Sequence, residues 1–330
     1  MTMNILVTGA AGYLGGKMVG YLCQEDWVSR VVGTDIKEPG RAHPKFVFDR
    51  RDIRESMDDI FDRENIDAVI HAAYVLPPIH DKNLMEDINK GGTQNLLGAI
   101  SRAGVKQILY TSSATAYGFY PDNDVPLTEE TPLRGNADVT YAKNKKEIEA
   151  IFQTFIKTNP GITVTILRPC FVVGPGFANP LAEQLKKKIV ILPANTKPFQ
   201  FVHEDDVIEI MAMMLKNKIG GIYNVAGEGT MGFPEMVKML GNYPLPIPWP
   251  VIYPLNHLAW TLRLHFITES PSPYLRLMVH PWIASSEKLK KETGYCFKYN
   301  TCSAFEDFAR SLKEEKLKPA RRSAPFQPEG

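Results

Sequence analysis

The chain has 330 residues, enough for a large core in about two cooperating units or in one long domain with an appended lobe. Hydrophobic residues make up 44% and charged residues 23%, an ordinary globular balance that excludes a disordered, collagen-like or coiled-coil chain. Lys and Arg number 38 against 37 Asp and Glu, so the formal charge of +1 gives no general reason to seek nucleic acid or an anionic membrane. Cys23, Cys170, Cys296 and Cys302 lie too far apart for a CxxC pair and are too few for a disulfide framework; they read as reduced thiols of a cytoplasmic protein. No run approaches the roughly 20 apolar residues of a membrane span. The apolar stretch 245–260 is cut by prolines, and the N-terminus runs into a strand pattern without a signal-peptide leader.

In chain order, β-branched runs predict strands near 4–8, 30–35, 46–48, 67–72, 107–111 and 163–167, alternating with helical patterns. Several runs are apolar throughout, as strands covered on both faces must be, so the expected fold is α/β: a doubly wound parallel sheet of Rossmann type. Leu84, Ile88, Gly92, Leu96 and Ile100 predict one helical stripe; Ile148, Ile151, Phe152, Phe155 and Ile156 predict another, stopped by Asn159-Pro160-Gly161. After Arg168-Pro169 the pattern changes to short helical pieces and Pro/Gly-rich loops. The expected division is a dinucleotide-binding domain over 1–170 with 197–227, a smaller C-terminal substrate lobe over 171–196 with 228–312, and a loose tail over 313–330.

Thr8-Gly9-Ala10-Ala11-Gly12-Tyr13-Leu14-Gly15 joins a predicted strand to a predicted helix, placing Gly9, Gly12 and Gly15 where backbone must approach a pyrophosphate. Asp35 ends the next strand, 20 residues after Gly15, where a carboxylate binds a ribose diol and repels a 2′-phosphate; that favours NAD over NADP. Tyr141 and Lys145 share a helical face. A tyrosine serving as a base near neutral pH needs its pKa lowered by about 3 units, to which a neighbouring ammonium and a cationic nicotinamide can contribute. Thr111-Ser112-Ser113-Ala114-Thr115-Ala116-Tyr117-Gly118 ends a parallel strand, where a hydroxyl can orient a substrate alcohol beside that tyrosine.

From these motifs to about Asn300, the chain resembles the extended short-chain dehydrogenase/reductase family, in its nucleotide-sugar epimerase/dehydratase branch. Further markers are Asp52-Ile53, His71-Ala72-Ala73, Asn89-Lys-Gly-Gly-Thr93, Arg168-Pro169, Gly174-Pro175 and Phe201-Val-His203-Glu-Asp205-Asp206. The resemblance implies NAD as cofactor, held by Gly9, Gly12, Tyr13, Leu14, Gly15, Asp35, Asp52, Ile53, Ala72, Ala73, Asn89, Tyr141 and Lys145. It implies Ser113, Tyr141 and Lys145 as the catalytic set, with Ser113, Asn179 and Arg276 toward the substrate. It also implies a homodimer through the helices around 83–103 and 140–159.

Other features have plainer readings. His203-Glu204-Asp205-Asp206 reads as a helix start, so no metal is expected. Lys186-Lys187-Lys188 reads as a solvated face, and Cys170 as a buried thiol. Three functions stay open. The first is a nucleotide-sugar 4-epimerase working through a transient ketone. The second is a dehydrogenase of an apolar alcohol, suggested by the segment from Trp249 to Trp260 and by the lack of an evident acidic companion for Arg276. The third is a dinucleotide-sensing scaffold, which has no need of a Ser113–Tyr141–Lys145 set. A 4,6-dehydratase is not expected, because Ser113-Ala114 occupies the place of that reaction's Asp-Glu pair.

Overall fold

Six β-branched runs in the first half of the chain form parallel strands, and a seventh strand joins them from farther along. The computed structural model describes residues 2–76, 81–264 and 267–317. β1 (Met3–Thr8) leads through the glycine turn into α1 (Tyr13–Leu22), followed by β2 (Val28–Asp35), β3 (Phe46–Arg50), α2 (Asp58–Glu64) and β4 (Ala68–His71). Next come α3 (Lys82–Glu86), a π turn (Asp87–Gly91), α4 (Gly92–Ala103), β5 (Gln107–Thr111), a 3-10 turn (Ala114–Tyr117), the long α5 (Thr140–Thr158) and β6 (Thr163–Pro169). Then follow β7 (Phe171–Val173), α6 (Pro180–Lys186), β8 (Ile189–Pro193), β9 (Phe201–His203), α7 (Glu204–Lys216), β10 (Gly221–Val225), α8 (Phe233–Met239) and β11 (Tyr243–Ile247). The chain closes with α9 (Trp249–Thr261), a second 3-10 turn (Ser272–Leu275), α10 (Arg276–Val279), α11 (Glu287–Thr293) and α12 (Thr301–Leu317).

The central sheet has the order β10-β6-β5-β4-β1-β2-β3, with every pairing parallel. Its direction of winding reverses between β1 and β4, the switch point at which such sheets bind ligands beyond their carboxyl ends. Register puts Thr8 beside both Thr34 and His71, and His71 beside Tyr110, so these strand ends share one rim. Alternation divides the core: Val7, Ile70 and Leu109 face one apolar layer, Leu6, Val69 and Ile108 the other. Two small parallel sheets, β7–β9 and β8–β11, lie outside this frame.

Two expectations change. The stripe over 84–100 is not one helix: the π turn advances the phase, so Met85, Asn89 and Thr93 are buried while Leu84 is exposed. Residues 313–317, expected in the tail, extend α12, and 318–330 lie outside the described residues. One hydrophobic cluster runs from Ile5 and Val7 to Phe233, Trp282 and Phe308, so the two expected units pack on each other through shared core.

Candidate active site

Glycine is required in the first turn for space. Gly9 has φ +74, and a Cβ on it would stand 2.7 Å from Ala73 Cα; a Cβ on Gly15 would stand 2.1 Å from the Gly9 carbonyl oxygen. The turn therefore packs directly on Ala72-Ala73 at the end of β4, and the Ala72 N–H donates to the Thr8 carbonyl. α1 begins at Tyr13 without a side-chain cap, leaving its first N–H groups to an anion. Asp35 reaches the same turn, accepting the Ala11 N–H at 3.1 Å and the Lys37 N–H at 3.0 Å. Leu14 packs inward against the core.

Glu204, the first residue of α7, clamps this turn from the far side. It accepts from the Tyr13 phenol, the Lys17 ammonium and the Gly176 N–H, and its carboxyl fills the space that a Cβ on Gly174 would need. The helix-start reading of 203–206 is thus correct, with His203 capping α7 through the Asp205 N–H. The Tyr13 hydroxyl, in turn, is directed to Glu204.

Across the switch point, His71 bridges Thr8 Oγ1 at 2.8 Å and Thr93 Oγ1 at 3.0 Å. Since Thr93 donates its proton to the Asn89 carbonyl, it accepts from His71 Nε2–H, and Nδ1 accepts from Thr8. Burial pushes His71 down to about 3, so it is a neutral strut. Asn89 accepts the Val75 N–H at 2.8 Å and so fixes the loop after Ala72-Ala73. Asp52 is held by Arg54, whose hydrogen bonds keep its carboxyl below the usual range. Ile53 packs so closely on Gly92 that a Cβ there would come within 2.4 Å of its Cγ2.

The first turn of α5 carries the reactive pair. Tyr141 lies beside the Ser113 hydroxyl, which also accepts the Thr115 N–H at 3.2 Å and caps the 3-10 turn. The Tyr141 N–H donates to Tyr274 Oη at 3.2 Å, tying the site to the second 3-10 turn. Lys145 Nζ donates to the Thr111 carbonyl at 2.8 Å and to Tyr110 Oη at 3.2 Å, with the Tyr74 ring centroid 4.0 Å away. Desolvation pushes Lys145 down to about 7, against the attraction of Glu149. The same burial pushes the Tyr141 phenol up to about 12, although its bond to Ser113 opposes the rise.

This reverses the expected direction for Tyr141. Lys145 Nζ is 5.8 Å from the Tyr141 ring centroid, too far to outweigh removal of the phenolate from water. Beneath the pair, Arg168 and Glu149 form a buried ion pair at 2.6 Å. Glu149 also accepts from Ser112, and Arg168 donates to Tyr117 Oη at 2.8 Å. Tyr74, Glu149 and Tyr274 escaped the sequence reading, and Glu204 was read only as part of a helix start, because their partners lie far away in the chain, apart from Lys145 four residues before Glu149.

The two residues expected toward the substrate besides Ser113 each have a partner within the fold. Asn179 caps α6 through the Ala182 N–H at 3.0 Å. Arg276 does have an acidic companion: Asp138, three residues before Tyr141, pairs with it at 2.6 Å.

A doubly wound parallel sheet, a glycine turn at its switch point and a Tyr-x-x-x-Lys pair beyond β5 define the extended short-chain dehydrogenase/reductase class. The chain belongs to the NAD dependent epimerase/dehydratase family, whose model matches residues 5–226. NAD is the cofactor of that family. An uncharacterised protein of Mycobacterium tuberculosis is 25% identical over 315 residues, covering 93% of this chain and 83% of its own. A UDP-glucose 4-epimerase of Lactobacillus helveticus is 34% identical over 199 residues, 58% of each chain. The crystal structure of the Bifidobacterium longum UDP-glucose 4-epimerase in complex with NAD+ and UDP superposes with TM-score 0.73 at 21% identity, over 96% of this chain and 99% of that one.

Proposed function

We propose that this protein is a nucleotide-sugar 4-epimerase, oxidising a sugar hydroxyl to a transient ketone and reducing it from the opposite face. The observation that carries this reading is the assembly of Ser113, Tyr141 and Lys145 at one rim, with the Asp138–Arg276 pair next to them.

The cradle fits NAD: its close approaches admit only glycine, α1 leaves its first turn to an anion, and Asp35 stands where a ribose diol would lie. The buried Tyr74 phenol and the Asn144 amide lie against each other and add a polar wall near Lys145, suited to a hydroxylated group. Bound NAD supplies hydride acceptance and return. Ser113 orients the reacting hydroxyl, and Tyr141 takes its proton and later restores it. Lys145 orients the ribose from its seat on Thr111. Tyr141 resists ionisation with the chain's own groups around it, so a positively charged nicotinamide held beside it would favour the phenolate.

A second reading, oxidation of an apolar alcohol, draws on one observation: α9 is joined to the turn bearing Tyr274, since Ser272 donates to the Tyr253 carbonyl at 2.7 Å, and α9 is rich in apolar residues.

Incubating the NAD-loaded enzyme with UDP-, GDP- and dTDP-hexoses and following products by NMR tests the proposal. A 4-epimer is the expected product, and Tyr141→Phe is expected to lower turnover about 10²- to 10⁴-fold while NAD stays bound. A stable 4-keto-6-deoxy product would refute the reading, and inertness toward every nucleotide sugar would move it to the apolar alcohol.

A further inference from the structure

Nine of the fourteen large hydrophobic side chains exposed among the described residues fall within 189–267, mostly on α9 and the β8–β11 sheet. Val251, Leu255 and Leu258 on α9, with Leu262 at its C-terminal cap, repeat at the spacing of one helical face, and each is 47–58% exposed. Ile252 and Ala259, on the other face, are buried. In the β8–β11 sheet, Ile189 pairs with Tyr243 and Ile191 with Leu245, and all four are exposed, while Val190 and Leu192 turn inward. Only Pro248 separates β11 from α9, and α9 also contacts β8, so the two apolar surfaces adjoin.

The charge around them is one-sided. Between Glu183 and Glu204, and again between Glu235 and Glu269, there is no Asp or Glu, whereas Lys186, Lys187, Lys188, Lys197, Lys238 and Arg263 fall there. A chain of 38 bases and 37 acids would otherwise carry both signs in these stretches. The cations border the apolar surface: Lys188 Nζ lies 5.2 Å from the Tyr243 ring centroid, and Lys187 Nζ donates to the Ile267 carbonyl at 3.5 Å. Trp249 and Tyr253 pack together at 5.2 Å on the same helix, and Trp260 is half-buried.

We propose that α9 and the β8–β11 sheet form a peripheral docking face for a bilayer surface containing anionic phospholipid. Leucines enter the acyl boundary, Trp and Tyr sit at the headgroup level, and the lysines with Arg263 meet phosphates. No helix among the described residues is long and apolar enough to cross a membrane, so the attachment is interfacial. A second copy is the poorer occupant. A two-fold contact would set this apolar face and its bordering cations against themselves, and the acid at its edge, Glu183, is already engaged by Lys186 at 2.8 Å, whereas a self-complementary patch needs both signs free.

The test is co-sedimentation of the full chain with vesicles of phosphatidylcholine containing about 30% phosphatidylglycerol. Binding is expected at low salt, with tryptophan emission shifting to the blue, and with affinity about tenfold lower on pure phosphatidylcholine. L255E/L258E is expected to lower affinity on the order of a hundredfold at unchanged circular dichroism. K188E/R263E, which leaves the apolar stripe intact, should lower it about tenfold and flatten the salt dependence. Absence of vesicle binding by the wild-type chain at low salt would overturn the proposal, as would undiminished binding by folded L255E/L258E. Light scattering in which L255E/L258E converts an oligomer to a smaller species, without vesicle binding by the wild type, would assign the face to a second copy.

Discussion

Burial moves the Lys145 ammonium from an ordinary 10.5 to about 7, because a charge enclosed by the Tyr74, Tyr110 and Tyr141 rings loses more hydration than Glu149 returns. Between these values the unfolded chain holds a proton that the folded chain has released. Its contribution to stability therefore rises with pH across that window, and the penalty is complete below it. Side-chain carbon NMR of the cofactor-free protein should show one lysine titrating near 7, absent in Lys145→Met. If every lysine titrated near 10.5, the enclosure would be wrong. Asp35→Ala should reduce the preference for NAD over NADP by at least about tenfold, measured by titrating both cofactors, because the carboxylate opposing a 2′-phosphate is gone. An unchanged ratio would remove Asp35 from cofactor choice. Gly9, Gly15, Asp35, Tyr141 and Lys145 were legible in the sequence because each motif is local. The protonation behaviour of the pair was not, since it depends on rings from Tyr74 and Tyr110 that no spacing brings together.

Elements at the rim are held by buried polar networks as much as by apolar packing. Glu149 and Arg168 are 1% and 4% exposed, and their ion pair fastens α5 to β6 directly beneath Ser112 and Ser113. Removing one partner leaves the other charge buried, so Glu149→Ala should destabilise the fold by about 3–5 kcal/mol in urea titration. It should also slow turnover, because the Ser112 contact is lost. A change within about 0.5 kcal/mol would show that water already reaches the pair. Sequence pattern located the central strands because their apolar runs must be covered on both faces. It missed β11, Tyr-Pro-Leu-Pro-Ile, because prolines suppress a strand reading; a two-stranded sheet asks only one edge of β11 to hydrogen-bond. It also overextended the stripe from Leu84, since a π turn shifts helical phase without a compositional signal.

At the scale of the whole molecule, the two ends of the charge distribution suit different partners. Lysines and Arg263 border the uncharged, apolar α9 surface, whereas the region of α3, the π turn and α5 carries both signs in one knot: Lys90 pairs with Glu86 at 2.6 Å and with Glu147 at 2.7 Å, and Lys143 pairs with Glu86 at 2.6 Å. An isologous interface sets the same patch against itself, so a mixed-sign surface can complement its own copy and a uniformly basic one cannot. The expected assembly is therefore a homodimer through the helices around 83–103 and 140–159, with α9 left free at the outer ends. Light scattering at micromolar concentration should give twice the 37.0 kDa chain mass. L255E/L258E should retain that mass, and Glu147→Lys, which sets a second ammonium beside Lys90 in the knot, should weaken the dimer. A monomer at every accessible concentration would exclude this assembly, and a dimer dispersed by L255E/L258E would transfer the interface to α9.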